Sequence, residues 1–391
     1  MQIRNKNSMA DNEPITDGRF FFPPEWYPHE ATILGFPSVV SVPVHYYEAS
    51  CREIVDLATG IAHFEPVRLY TRPEDIPLAE KYVHDRVPVY LRPRVSIIPI
   101  AINHCWVRDT GPVYVHDATG KYGKQRFAIS FEFNEWGNKR PWDESNGNDY
   151  GLRWPQPTPI DLQENTDFAR RVIESDVSPS PVRRVVSKIK AEGGAFVVDG
   201  DGTLIVSESC MIDEPRNPGM TKVDIEEELR RVLGVEKIIW CPGRKNMDIT
   251  DAHLDAEVRF IRPGVVLWSR HHPESDQEWM DVSHEVLNIL KKETDAKGRK
   301  LKIIPIDEVN GDVVPHAPNE EVVGSYINFY FCNGGVVIPK YGVEPADSRA
   351  LADIQAAMPD REVRQVFLNA IPITGGVIHC TTQQVPALKQ D

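Results

Sequence analysis

The sequence predicts an α/β fold in which one supersecondary unit is written five times, in degenerate form, and arranged cyclically. Three observations predict it. Amphipathic stretches at residues 47–64, 164–174, 223–233, 278–291 and 347–358 have helical periodicity. Each is followed by a short apolar strand candidate: PVRLYT, PVRRVVSKI, VEKIIW, LKIIPI and REVRQVFL. Each strand then gives way to a Gly- or charge-bearing segment and further strand. Those segments are WVRDTGPVYV, EGGAFVVDGDGTLIVS, DAHLDAEVRFIRPGVVLWS, NGGVVIPKYG and GGVIHCTTQQVP. Repetition at this scale implies units that bury their apolar faces against one another.

The elements follow in chain order. Residues 1–18 are polar and lack the apolar core of a signal peptide, so they are expected to be a disordered lead-in to a cytoplasmic protein. Residues 19–391 are expected to form a single domain, with two α/β domains as the alternative. The long stretch between residues 117 and 159 contains PWDESNGNDYG and WPQPTP and reads as a surface insertion. Gly200, Asp201 and Gly202 mark a hairpin between β-rich runs. In the third helix Ile225, Leu229, Val232 and Leu233 share a face, and Gly234 is the stop signal. The fifth aligns Ala350, Leu351, Ile354 and Met358, then ends before Pro359.

Composition narrows the function. In 391 residues, 41% are hydrophobic and 26% charged, an ordinary globular balance. A formal net charge of -14 is the opposite of a nucleic-acid-binding footprint and slightly favours cationic small molecules. No apolar run reaches the roughly 18 residues of a membrane span. The six cysteines include no C-x-x-C pair and no zinc spacing; five of them read as small buried hydrophobes.

A cyclic fold would gather the polar residues that follow the strands: Asp109, Glu192, His253 with Asp255, Asn333 and Cys380. Singly each has an ordinary structural explanation. Together they supply a thiol, an imidazole and carboxylates from equivalent loops.

WVRDTGP, EGGAFVVDGDGTL, the H-x-D of His253 and Asp255, and GGVIHCTTQQVP resemble the agmatine deiminase and bacterial-type peptidylarginine deiminase family. PPEWYPHEATILGFP, FEFNEWG and SYINFYFCNGGVVIPKYG are similar too, so the likeness runs from about Pro23 to Pro386. It implies the pentein fold, a five-bladed α/β propeller of ββαβ-type units, and hydrolytic deimination of a guanidine. The chemistry suits the groups. Paired carboxylates hold a planar guanidinium by charge-assisted hydrogen bonds. A thiolate attacks its central carbon, and an imidazole protonates the departing ammonia and then activates water. By resemblance Cys380 is the nucleophile, His253 the general acid and base, Asp109 and Asp255 the clamp, and Glu192 the partner of His253. The two carboxylates are expected to sit unpaired in the empty site. Trp106 and Trp136 are candidate walls for a cation. His379 lies beside Cys380, but in extended chain it points to the opposite face.

No metal or organic cofactor is implied. The expected partner is a small cationic guanidine, agmatine first, with arginine, another guanidine or peptidyl arginine behind it; neither nucleic acid nor membrane is expected, and a homo-oligomer is, by family analogy. Asp251-Ala252-His253-Leu254-Asp255 also resembles the D-A-H-x-D metal motif of the arginase and agmatinase family, without that family's other ligand segments. A non-catalytic pentein binding protein is a further alternative. Against the deiminase pattern, His104 stands where Asp is common, Ala252 where Gly is, and Val377 where Asn is. At His104 this removes a carboxylate that could face the far ammonium of agmatine.

Overall fold

Helix caps and strand registers turn the five sequence copies into five small sheets. The computed structural model describes residues 13–123, 125–139, 155–176, 182–315 and 321–388. In each sheet an antiparallel strand pair leads into a helix, which returns the chain to a third strand parallel to the second. Val113–Asp117 and Arg126–Ser130 precede the helix Pro159–Glu174 and the strand Val182–Val186. Val197–Val198 and Thr203–Ser207 precede Lys222–Leu233 and Lys237–Cys241. Val258–Arg262 and Val265–Arg270 precede Gln277–Lys292 and Lys302–Asp307. Tyr330–Cys332 and Gly335–Lys340 precede Glu344–Ala357 and Glu362–Phe367. The fifth unit joins both ends of the chain. Its first strand, Thr382–Pro386, lies antiparallel to His29–Gly35, and the helix Val44–Ala62 leads to the parallel strand Val67–Thr71. That pairing closes the set, in agreement with the cyclic reading and the pentein fold.

Local chemistry fixes the helix ends. Thr158 with Asp161 and Thr221 with Asp224 form reciprocal capping boxes. Gly234 ends its helix in the left-handed region at φ 70, where a side chain would be strained. The apolar faces predicted from sequence are the ones buried: Ile225, Leu229, Val232 and Leu233 pack into one cluster, and Ala350, Ile354 and Met358 into another.

Several expectations need correction. A sixth long helix, Ile76–Arg86, was not predicted; it leads to the fourth strand of the fifth unit's sheet, Val95–Pro99, parallel to Val67–Thr71. It buries only Ala79 and Val83, too few for a clear stripe. The lead-in is ordered earlier than residue 18: Ile15 is buried and bridges to Val185, while residues 1–12 lie outside the described residues. The stretch after residue 117 is not all surface. It holds the central strand Arg126–Ser130 and a buried turn containing Phe133, Glu135 and Trp136; residues 140–154, with PWDESNGNDYG, lie outside the described residues.

Asp109, Glu192, Asp255 and Cys380 occupy one structural position repeated from unit to unit, the turn just before its first strand. Asp109 lies in the turn Val107–Thr110, Glu192 precedes the turn Gly193–Ala195, and Asp255 lies in the turn Leu254–Ala256 after His253. Cys380 precedes Thr382–Pro386. The fourth unit supplies Asn328, ahead of Tyr330–Cys332, and not the expected Asn333. Asn333 instead exchanges hydrogen bonds with the backbone of His29, and its own backbone amide donates to Glu65 Oε2 at 2.7 Å.

Candidate active site

These turns converge on a cavity of about 760 Å³ whose lining includes Asp109, His253, Asp255 and Cys380, with His104, Trp106 and Trp136 in its walls. Gly194 shows how tight the convergence is. A methyl group on its Cα would lie 2.7 Å from His253 Nδ1, 2.8 Å from Asp109 Oδ1 and 3.4 Å from Asp255 Oδ2. The EGGAF glycine is therefore required by close approach, not by backbone conformation.

His253 Nε2 lies 3.2 Å from Glu192 Oε2, and its Nδ1 lies 3.7 Å from Asp109 Oδ2. Burial alone would lower the imidazole pKa, but Asp109, Glu192 and Asp255 outweigh it and raise the value to about 9. Glu192, pushed up by burial, is brought down to about 2 by Arg216 and His253. Arg216 was missed by the sequence reading. Fully buried, it donates from Nε to Glu192 Oε1 at 2.9 Å, from Nη1 to Asp251 Oδ2 at 2.9 Å and from Nη2 to the Thr250 carbonyl at 2.8 Å. It ties the partner of His253 to the loop that carries His253.

Asp109 accepts from the Trp136 indole at 2.9 Å and from the Gly194 amide at 3.0 Å. Burial, with Glu192 and Asp255 nearby, still raises its pKa despite the opposing His253. Asp255 behaves oppositely. Burial would raise it, but His379, with His253 and Arg259, holds it below its ordinary value. His379 Nδ1 is 2.6 Å from Asp255 Oδ2, and its Nε2 is 2.8 Å from Glu25 Oε1. The expectation of two unpaired carboxylates is thus overturned. The extended chain expected here is a turn, and His379 and Cys380 both reach Asp255 Oδ2 instead of facing opposite sides.

Cys380 is half-buried, whereas the five other cysteines are buried and unpaired, as expected of small core residues. Its Sγ lies 3.6 Å from Asp255 Oδ2 and receives Asn328 Nδ2 at 3.4 Å. Burial and the carboxylates of Asp255 and Asp109 push the empty-site thiol well above its ordinary pKa. Arg108, buried next to Asp109, donates to the His379 carbonyl, and its amide donates to the Cys380 carbonyl. The WVRDTGP segment thus holds the turn that carries Cys380 as well as supplying Asp109.

The backbone is strained where the site is shaped. Glu135 and Trp136 have φ 54 and 49, which turns the indole onto Asp109; Asp251 and Ala252 have φ 63 and 67 immediately before His253. His104 borders the cavity, but its Nε2 is turned to Glu135 Oε2 at 2.9 Å. Its ring packs edge-on against Trp136 and Phe133.

Farther along the cavity stand Glu257, His271 and Glu308, whose ligand atoms all lie within 4.8 Å of one another, a spacing that could hold a metal ion. His271 directs Nε2 to Glu257 at 2.7 Å and Nδ1 to Glu308 at 2.9 Å, and the two carboxylates overcome burial to raise it to about 11. An imidazolium donating from both edges already serves both acids. The D-A-H-x-D motif does not gather its side chains around one point either: Asp251 is engaged by Arg216 and Lys139.

The model of the Porphyromonas-type peptidyl-arginine deiminase family matches residues 21–386. The chain belongs to that family. Within the family's relatives, it is 33% identical to the agmatine deiminase of Pseudomonas aeruginosa over 395 aligned positions, covering 97% of this chain and 99% of that one. It is 32% identical to the agmatine deiminase of Stutzerimonas stutzeri, covering 96% and 97%. The solved structure of the agmatine deiminase of Enterococcus faecalis superposes with a TM-score of 0.79 at 25% identity, covering 96% of this chain and 99% of that chain.

Proposed function

We propose that the protein hydrolyses agmatine to N-carbamoylputrescine and ammonia, with Cys380 as nucleophile. The observation that carries this reading is the shared cavity in which Asp109, Asp255, His253 and Cys380 meet. Asp109 and Asp255 grip the guanidinium N–H groups, and Trp106 and Trp136 wall the cation. The bound cation offsets the negative field that keeps the thiol protonated in the empty site, so substrate itself favours the thiolate. The thiolate adds to the guanidinium carbon. His253, protonated near neutral pH because its carboxylate neighbours raise it to about 9, gives its proton to the leaving ammonia. Glu192 stabilises that charge. The neutral imidazole then takes a proton from water, which attacks the thiouronium carbon and releases the thiolate and the ureido product.

The far wall supports agmatine over arginine. Glu257 and Glu308, which share the His271 imidazolium, line it with Glu274 and Asp312, and the acidic surplus attracts the distal ammonium of agmatine and repels the carboxylate of arginine. The carboxylate missing at His104 is thereby offset, and Glu135 stands directly behind His104. On family analogy alone, the reading extends to a cytoplasmic homo-oligomer whose product feeds polyamine synthesis.

The test is ammonia and ureido-product release from agmatine, arginine and an arginyl peptide, with and without EDTA. Agmatine is expected to lead at least tenfold in kcat/KM, unaffected by chelation. Loss on EDTA, restored by manganese and accompanied by urea, would instead favour a metal-dependent ureohydrolase.

A further inference from the structure

We propose that His379, the residue before the nucleophile, is a positioning residue that fixes Asp255 and screens its charge where the thiolate forms. The proposal rests on the deiminase reading above and adds a residue to its machinery. The geometry is a buried chain. Asp255 Oδ2 meets His379 Nδ1 at 2.6 Å, His379 Nε2 meets Glu25 Oε1 at 2.8 Å, and Glu25 is paired in turn with Arg259 and, at 3.9 Å, with Arg108. Glu25 is held low against the effect of burial by Arg259, His379 and Arg108, so it stays ionised like Asp255. Each ring nitrogen of His379 thus faces a carboxylate oxygen.

The oxygen that His379 grips is the one that matters. Asp255 Oδ2 is also the oxygen 3.6 Å from Cys380 Sγ and the one facing Gly194. A carboxylate that turns freely would present varying geometry to a guanidinium and a full charge to the thiol. A ring held on both sides removes that freedom, and its backbone is fixed as well: the His379 amide donates to Asn328 Oδ1 at 3.0 Å. The groups facing this chain are Asp255 and Glu25 at the ring, Arg259 and Arg108 behind Glu25, and Asp109 with His253 across the cavity. Among the described residues, His379 is the side chain that stands between the Asp255 carboxylate and Glu25 behind it.

Two variants separate positioning from simple structural support. The amide of His379→Asn can replace Nδ1 toward Asp255 but cannot reach Glu25. His379→Gln replaces Nε2 toward Glu25 and loses Asp255. We expect His379→Asn to keep kcat/KM for agmatine within about tenfold of the parent, and His379→Gln to lose a hundredfold or more, chiefly in kcat, at matched melting temperature. In the free enzyme, the pH midpoint for iodoacetamide alkylation of Cys380 should rise by about one unit in His379→Gln. Equal losses in the two variants, losses that follow melting temperature, or an unmoved alkylation midpoint would each overturn the proposal. If His379→Gln does not fold, Glu25→Gln, which loosens the ring from behind, gives the same alkylation readout. A parent enzyme that turns over no guanidine would defeat the deiminase reading, while the alkylation midpoint would still decide whether His379 acts on the thiol.

Discussion

Asp109 and Asp255 enter the same cavity from the turns of the first and third units, both buried, and their acidities are driven in opposite directions. On the Asp109 side the supporting donors are neutral, a Trp136 indole and a Gly194 amide, with His253 as a nearby cation and Glu192 and Asp255 as competing anions. On the Asp255 side a histidine donates at 2.6 Å, backed by Glu25 and Arg259. Burial is common to both; fixed charge at the second layer decides the sign. One carboxylate is thus ready to gain from an incoming cation, while the other is already held in its ionised form.

The largest expected effects come from neutralising each side in turn. Asp109→Asn and Asp255→Asn should each lower kcat/KM by about 2–5 kcal/mol, thirty- to several-thousand-fold, because each removes a charged contact to the guanidinium. Their stabilities should diverge. Asp255→Asn strands the His379 donor and should cost about 3–5 kcal/mol in denaturant unfolding. Asp109→Asn removes a carboxylate whose charge is disfavoured by the fold, so its stability should hold or rise. Equal stability losses would break the comparison.

Next in size is Gly194→Ala. Its methyl would press on His253, Asp109 and Asp255 together, and kcat/KM should drop at least about tenfold with little change in secondary structure, checked by circular dichroism.

Smaller, and visible in melting temperature, is the dependence of stability on pH. His253 has a folded pKa of about 9 against an ordinary 6.5, so its contribution is complete below about 6.5 and is lost as pH rises through 9. Asp255 and Glu192 are lowered, so their contributions are present above their ordinary values and are lost as pH falls toward their folded ones. Melting temperature should therefore fall on both limbs by a few degrees. His253→Gln should reduce the alkaline fall, leaving the share of His271, and Asp255→Asn should reduce the acid one, leaving those of Glu192 and Glu25.

The smallest effect is Ala252→Gly. A left-handed φ of 67 strains alanine but not glycine, and relief should add about 1 kcal/mol in unfolding while leaving the clamp intact.

This pattern also marks how far sequence reading reached. Five helices and their strands were legible because each buries a regular apolar face, and Ile225, Leu229 and Val232 are found where periodicity put them. The helix Ile76–Arg86 was not, because two buried residues make no stripe. Asp109, Glu192, His253, Asp255 and Cys380 were legible because they lie in dense motifs. Arg216, Glu25 and Asn328 were not, since contacts such as His379 with Glu25 span most of the chain and leave no local spacing. Glu25 and Asn328 do lie in PPEWYPHE and SYINFYF, segments that carried the family likeness without disclosing a role. His379 was set aside on the assumption of extended chain; the segment is a turn, and its ring meets the same Asp255 oxygen as Cys380.

The central claim is that Cys380 bonds covalently to a guanidine carbon. Rapid acid quench of the enzyme during turnover of agmatine, followed by intact-mass and peptide mass spectrometry, tests it directly. The account predicts an adduct equal in mass to agmatine less ammonia, confined to the peptide carrying Cys380 and absent from Cys380→Ser, which should release no ammonia. Steady ammonia release from Cys380→Ser, with no adduct on the parent enzyme at any quench time, would contradict it.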